Sequence, residues 1–142
     1  MTKQNIIIAV DSSEEADQVI SAAKEIAGDA SLTLITVIQP IAYAYGSGQA
    51  ALLPNYESIE DALAKAAAAR QEQLANRHDI ACEKVTIIGH PAQEIRKRAA
   101  DSNADLIVIG SHGRHGLGLL LGSTANSVLH GAPCNVFVVR IK

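Results

Sequence analysis

Five short apolar runs rich in β-branched residues constrain this chain most: residues 5–10 (NIIIAV), 32–38 (LTLITVI), 84–88 (KVTII), 105–109 (DLIVI) and 135–141 (NVFVVRI). Most lack a clean polar–apolar alternation. Such runs read as strands buried on both faces, the condition of a parallel sheet covered by helices. Helical patterns fall between them. Residues 12–27 carry Ser12 and Glu15 at capping-box spacing, with Ala16, Val19, Ile20, Ala23 and Ile26 at helical period and Gly28 as a stop. Residues 57–77 place Ile59, Ala62, Leu63, Ala66, Arg70, Gln73 and Leu74 along one side. Residues 91–102 open with Pro91 and turn Ile95, Ala99 and Ala100 inward. Residues 123–130 have Ser123 as N-cap, Val128 and Leu129 for packing, and Gly131 and Pro133 to close. Strands alternating with helices predict right-handed crossovers and a three-layer α/β fold, an open doubly wound parallel sheet. With 142 residues, no linker and no repeat, the expectation is one domain over 1–142.

Composition says what fills that core and what the surface is not for. Apolar residues make up 48% of the chain and aromatic ones 3%, with no Trp and one Phe, so the interior is built from Ala, Val, Ile and Leu. Aromatic poverty argues against base-stacking platforms. A formal net charge of −3 argues against a duplex-gripping surface, so no nucleic-acid partner is expected. The Arg96-Lys97-Arg98 run reads as a solvated helix face. No apolar run is long enough for a membrane span, and the N-terminal one is too short for a signal segment. Cys82 and Cys134 lack metal-site spacing and read as reduced thiols, which places the protein in the cytoplasm. The longest irregular stretch, residues 39–55, holds Tyr43, Tyr45, Gly46 and Gly48, with Tyr56 at its exit, and loops of that length tend to be functional.

Chemistry concentrates in residues 109–124, IGSHGRHGLGLLLGST. The segment leaves a buried strand at Gly110 and enters a helix at Gly122-Ser123-Thr124, with five glycines in thirteen residues. Missing side chains let backbone N–H groups face a ligand, and a helix start adds unpaired donors and a positive dipole end. Ser123 and Thr124 add hydroxyls, and Arg114, with His112 and His115 when protonated, adds positive charge. Together these describe an anion site suited to phosphates; the alternative is that the glycines only serve a tight loop. The segment is neither a Walker-type loop nor a dinucleotide fingerprint. Asp11, just past the first strand, could hold a ribose hydroxyl, a base amine or a hydrated metal, or simply cap a turn. No third ligand accompanies His112 and His115 for zinc, no G-x-S-x-G nucleophile motif is present, and Arg140 reads as a sheet-end or interface charge.

Six blocks taken in order give a resemblance: AVDSS near the start, ITVI after strand two, IGHP before the third helix, DLIVIGSHG, LLLGSTA, and APCNVFVVR at the end. Together they resemble the universal stress protein family over essentially the whole chain. The resemblance implies a five-stranded, Rossmann-like sheet of the adenine-nucleotide alpha-hydrolase type, in order 3-2-1-4-5. It also implies a homodimer through the last strand, residues 135–141. In that order Asp11 and Gly110 share the switch-point crevice. The family's ATP-binding members carry G-x2-G-x9-G-[ST]; Gly110, Gly113, Gly122 and Ser123 match it, except that 114–121 is eight residues rather than nine. The resemblance also assigns Asp11 to the nucleoside and Val37 to the adenine. ATP, or a related adenine nucleotide, is therefore the implied ligand, with Mg²⁺ or Mn²⁺ held through its phosphates and hydrolysis slow at most. Non-binding members share the shorter loop, so a dimeric interaction module without nucleotide is the alternative. An adenylyl-transferring enzyme is a third reading, for which no catalytic base is identifiable.

Overall fold

In the computed structural model, residues 3–41, 56–112 and 121–142 are described. The elements run β1 (Asn5–Ala9), α1 (Ala16–Ala27), β2 (Ser31–Ile38), α2 (Tyr56–His78), β3 (Glu83–Ile88), α3 (Pro91–Asp101), β4 (Leu106–Gly110), α4 (Ser123–Gly131) and β5 (Asn135–Val139). The strands form a five-stranded sheet in the order β3-β2-β1-β4-β5, with every pair parallel. Ile6 and Ile8 of β1 face one layer with Val19, Ile20 and Ala23 of α1, Leu74 of α2 and Val108 of β4. Ile7 and Ala9 face the other, with Ala92, Ile95 and Ala99 of α3 and Ala125 and Val128 of α4. Both faces of β1 are therefore covered, which is why its sequence does not alternate.

Several local expectations shift. The first helix does not begin at Ser12 with a capping box: it starts at Ala16, with Glu15 as N-cap and no side-chain cap. The turn ahead of it is held instead by Asp11 Oδ1, which accepts the Ser13 N–H at 2.9 Å and closely contacts the Ser13 hydroxyl. Ser123 is likewise not the cap of α4; Gly122 holds that place and Ser123 is the first helical residue. On α2 the expected stripe holds at Leu74, which is buried, but not at Ile59, Ala62, Leu63, Ala66 and Gln73, which are exposed; Ala67, Gln71 and Ala75 are buried instead. Gln71 lies under the sheet, its amide nitrogen 2.8 Å from Val85 O and 3.1 Å from Thr36 Oγ1, and its carbonyl oxygen accepts the Thr86 hydroxyl at 3.1 Å. Finally, β5 stops at Val139 rather than 141. Ile141 leaves the sheet edge and buries its side chain beside α1.

Candidate functional site

The carboxyl ends of β1 and β4 lie side by side, Ala9 in register with Ile109. From them the chain leaves toward α1 on one face and α4 on the other. Neighbouring strands with diverging exits leave a crevice between them, the place where open α/β sheets take ligands. Here the crevice has a volume of about 410 Å³, within the ~300–1,000 Å³ common for small-molecule sites.

Its walls divide into two ends. One end is formed by Val37 and Gln39 from the exit of β2 and Pro91 and Ile95 from the start of α3; Asp11 enters from the exit of β1, the strand between β2 and β4. The other is formed by Gly110, His112, Gly122, Ser123 and Thr124. Asp11, Val37, Gly110, Gly122, Ser123 and Thr124 are therefore brought to one cavity. Gly113, Arg114, His115, Tyr43 and Tyr45 lie outside the described residues.

Asp11 is exposed, and its Oδ1 is committed to the turn at Ser13. It is therefore a turn residue and a crevice residue at once. Glu15 adds a second carboxylate. The Ser13 hydroxyl beside it, then its own backbone N–H, hold that carboxyl below the usual range against slight burial, with a weak pull from His112. Among the described lining residues there is no Lys or Arg. Any anion here would rest on N–H groups, on the hydroxyls of Ser123 and Thr124, and on the positive end of α4, whose first-turn N–H groups have no partner within the helix. Among the described residues, no group of three His, Cys, Asp or Glu could hold a metal ion.

The two glycines that frame the second end have different physical causes. A Cβ on Gly110 would stand 3.2 Å from Ile141 Cδ1 and from Val19 Cγ2, so its bareness makes room for core side chains. A Cβ on Gly122 would stand 3.1 Å from both His112 Cα and Ser111 O, so its bareness lets two backbone segments approach. The Gly122 N–H donates to Ser111 O at 2.6 Å across that approach. Sequence reasoning did not place Gln39, Pro91 or Ile95 in the site. The signal was present for Pro91: in a parallel sheet, helix starts and strand ends share one side, so a proline opening α3 falls beside the crevice.

The family model of the universal stress protein family matches residues 3–140. "Universal stress protein A homolog 2" of Coxiella burnetii is 38% identical, over 98% of this chain and 96% of the relative. Among solved structures, universal stress protein UspA from Lactobacillus plantarum superposes with a TM-score of 0.83 at 29% identity, over 99% of this chain and 100% of that one. Two others, both 22% identical and showing the fold alone, hold nucleotides. One is a universal stress protein in complex with cAMP (TM-score 0.70, over 100% of each chain). The other is the Archaeoglobus fulgidus protein in complex with dAMP (TM-score 0.65, over 100% of each chain). No helix among the described residues is long and apolar enough to cross a membrane.

Proposed function

This chain belongs to the universal stress protein family, and from that premise we propose that it is a stress-response protein that binds ATP, or a related adenine nucleotide, in the β1–β4 crevice. The observation that carries the reading is that the Asp11 carboxylate and the donor-rich start of α4 line one cavity. The nucleoside would lie against Asp11, Val37 and the apolar Pro91–Ile95 wall. The phosphates would lie toward Gly110, Gly113, Gly122, Ser123 and Thr124, with Arg114 as a candidate for added charge. Relatives that hold cAMP and dAMP support an adenine nucleotide as the class of ligand.

The donor set fits Mg²⁺ or Mn²⁺ only through the nucleotide. Asp11 has one oxygen committed to Ser13, and no metal cluster exists among the described residues, so the phosphates and water would supply the ligands. The reading takes any hydrolysis as slow at most. Mass spectrometry of small molecules released on denaturing the purified protein should find an adenine nucleotide, and calorimetry with ATP and Mg²⁺ should show binding. Neither signal, at hundreds of micromolar ATP, would overturn the reading.

The partner is a second copy of the chain. Both edge strands are open, but β3 carries Glu83 and Lys84, paired to Arg98 and Glu72, and charged residues blunt an edge. The β5 edge presents half-buried Val136, Phe137 and Val138 without charge, with exposed Leu129 nearby. Two such edges pairing antiparallel make a two-fold interface, and the reading places this dimer in the cytoplasm. A single monomer species at tens of micromolar in sedimentation would overturn it.

One observation favours a second reading, a dimeric module without nucleotide: the 114–121 segment is eight residues long where the ATP-binding pattern has nine. The same calorimetry separates the two.

A further inference from the structure

Ser111 follows β4 and does not itself line the crevice, yet four interactions converge on it. Its N–H donates to Val139 O at 2.7 Å, at the end of β5, and its carbonyl oxygen accepts the Gly122 N–H at 2.6 Å, at the cap of α4. Its hydroxyl accepts the Ile141 N–H at 3.1 Å and lies 3.2 Å from His112 Nδ1. The segment that delivers Ile141 is itself anchored. The Ile141 side chain is buried against Gly110 and Val19. The Lys142 N–H donates to Gln18 Oε1 at 3.0 Å, and Gln18 Nε2 donates back to Lys142 O at 3.3 Å.

A serine hydroxyl has one hydrogen and two acceptor positions. With the Ile141 N–H on one acceptor position, the hydroxyl can donate its hydrogen to His112 Nδ1, and in that arrangement the imidazole's own hydrogen sits on Nε2. His112 lines the crevice at the same end as Gly122, Ser123 and Thr124.

We infer that Ser111 is a positioning residue for the phosphate end of the crevice. Through its carbonyl it sets where α4 begins, and through its hydroxyl it orients the His112 ring with Nε2–H available to the crevice. Residues 139–142 act as the strap that holds Ser111 in place. The inference rests on the nucleotide reading above and adds to it a device for the phosphates alone. An adenosine moiety at the Val37 end does not touch this network.

The test uses the full chain and two probes, ATP with Mg²⁺ and adenosine, titrated against wild type, Ser111→Ala and Ser111→Thr. Nitrogen-15 spectra of His112 report its tautomer above the range in which imidazole protonates. Wild type should show the Nε2–H form. Ser111→Ala should lose that preference and weaken ATP about tenfold, the scale of one hydrogen bond, with adenosine within about twofold. Ser111→Thr, which keeps the hydroxyl, should restore both. An Nδ1–H ring in the wild type overturns the inference even where Ser111→Ala does not fold. Equal weakening of ATP and adenosine, or no weakening, also overturns it, because a merely structural role would not separate the two. A wild-type chain that binds neither probe overturns the nucleotide reading, and this inference with it.

Discussion

Ile141 fills the space that Gly110 leaves open: a Cβ added to Gly110 would stand 3.2 Å from both Cδ1 and Cγ1 of Ile141, and 3.2 Å from Cγ2 of Val19. The exit of β4, the first helix and the segment after β5 thus meet at one residue. Ile141 lies two residues past the last register pair with β4 and is 6% exposed, and Val19 is 4% exposed inside the α1 layer, so neither side chain has free room. Gly110→Ala should therefore cost about 1–3 kcal/mol as overpacking, and Gly110→Ala with Ile141→Val should recover part of it. Urea unfolding of the two variants against wild type reads the difference; equal stability of all three would show that the site is slack.

Gly122 meets backbone rather than side chains, so its neighbours have less room to give. A Cβ there would press on His112 Cα and Ser111 O, each at 3.1 Å, and stretch the 2.6 Å bond that starts α4. Gly122→Ala should lower stability by about 1–3 kcal/mol. It should also displace Ser123 and Thr124 from the crevice, and weaken ATP by more than about tenfold, as the loss of one or more hydrogen bonds does. Calorimetry on the folded variant decides; ATP affinity equal to wild type would remove α4 from the binding reading.

How far the sequence carried these conclusions differs from place to place. The five apolar runs and the helical patterns between them mark the elements well, because a strand buried on two faces has few other ways to look. Their ends are less visible. Ser12 and Ser123 are good capping residues, but Glu15 and Gly122 hold the cap positions, a choice made by tertiary contacts rather than propensity. The α2 stripe was misphased because the helix is Ala-rich, and alanine marks a face weakly. Its register is decided instead by Gln71, a polar residue that an apolar pattern cannot select. In the site, Asp11 and the glycine segment were legible from composition and position. The hub at Ser111 was not, since its partners Val139 and Ile141 lie 28 and 30 residues away in sequence.

Gln71 itself makes a sharp test of that register. It is 1% exposed and ties β2 to β3 through Thr36, Val85 and Thr86. Gln71→Leu keeps the volume and removes the amide, leaving two threonine hydroxyls without this partner. A buried polar group left unsatisfied costs about 1–3 kcal/mol, so a loss of that size in chemical denaturation is expected. Adding Thr36→Val and Thr86→Val to Gln71→Leu should regain part of it, because both side-chain partners are then apolar while the Val85 carbonyl still lacks this donor. A triple variant no better than Gln71→Leu would show that packing, not hydrogen bonding, sets the cost.

The join between α1 and α2 should fail in acid before the sheet does. Asp17 accepts Arg77 Nη1 at 2.8 and 3.0 Å and lies 2.7 Å from His78 Nε2. Burial alone would raise its carboxyl, but hydrogen bonds from His78 and Arg77, with their charges, outweigh that and hold it below its ordinary value of 3.8. A carboxyl lowered by folding contributes stability in full above the unfolded value and loses it as pH falls through the folded one. Asp17 is 36% exposed, so the contribution is that of a partly screened pair, about 0.2–1 kcal/mol. Asp17→Asn should therefore be less stable than wild type by about that amount at neutral pH, with a gap that shrinks in high salt. The gap should close in acid, as the pH falls from the ordinary carboxyl value through the lower folded one and the wild-type carboxyl is protonated as well. Denaturation midpoints of both proteins at neutral pH and in acid measure it, and a gap that persists unchanged into acid would assign the effect to packing rather than to the charge of Asp17.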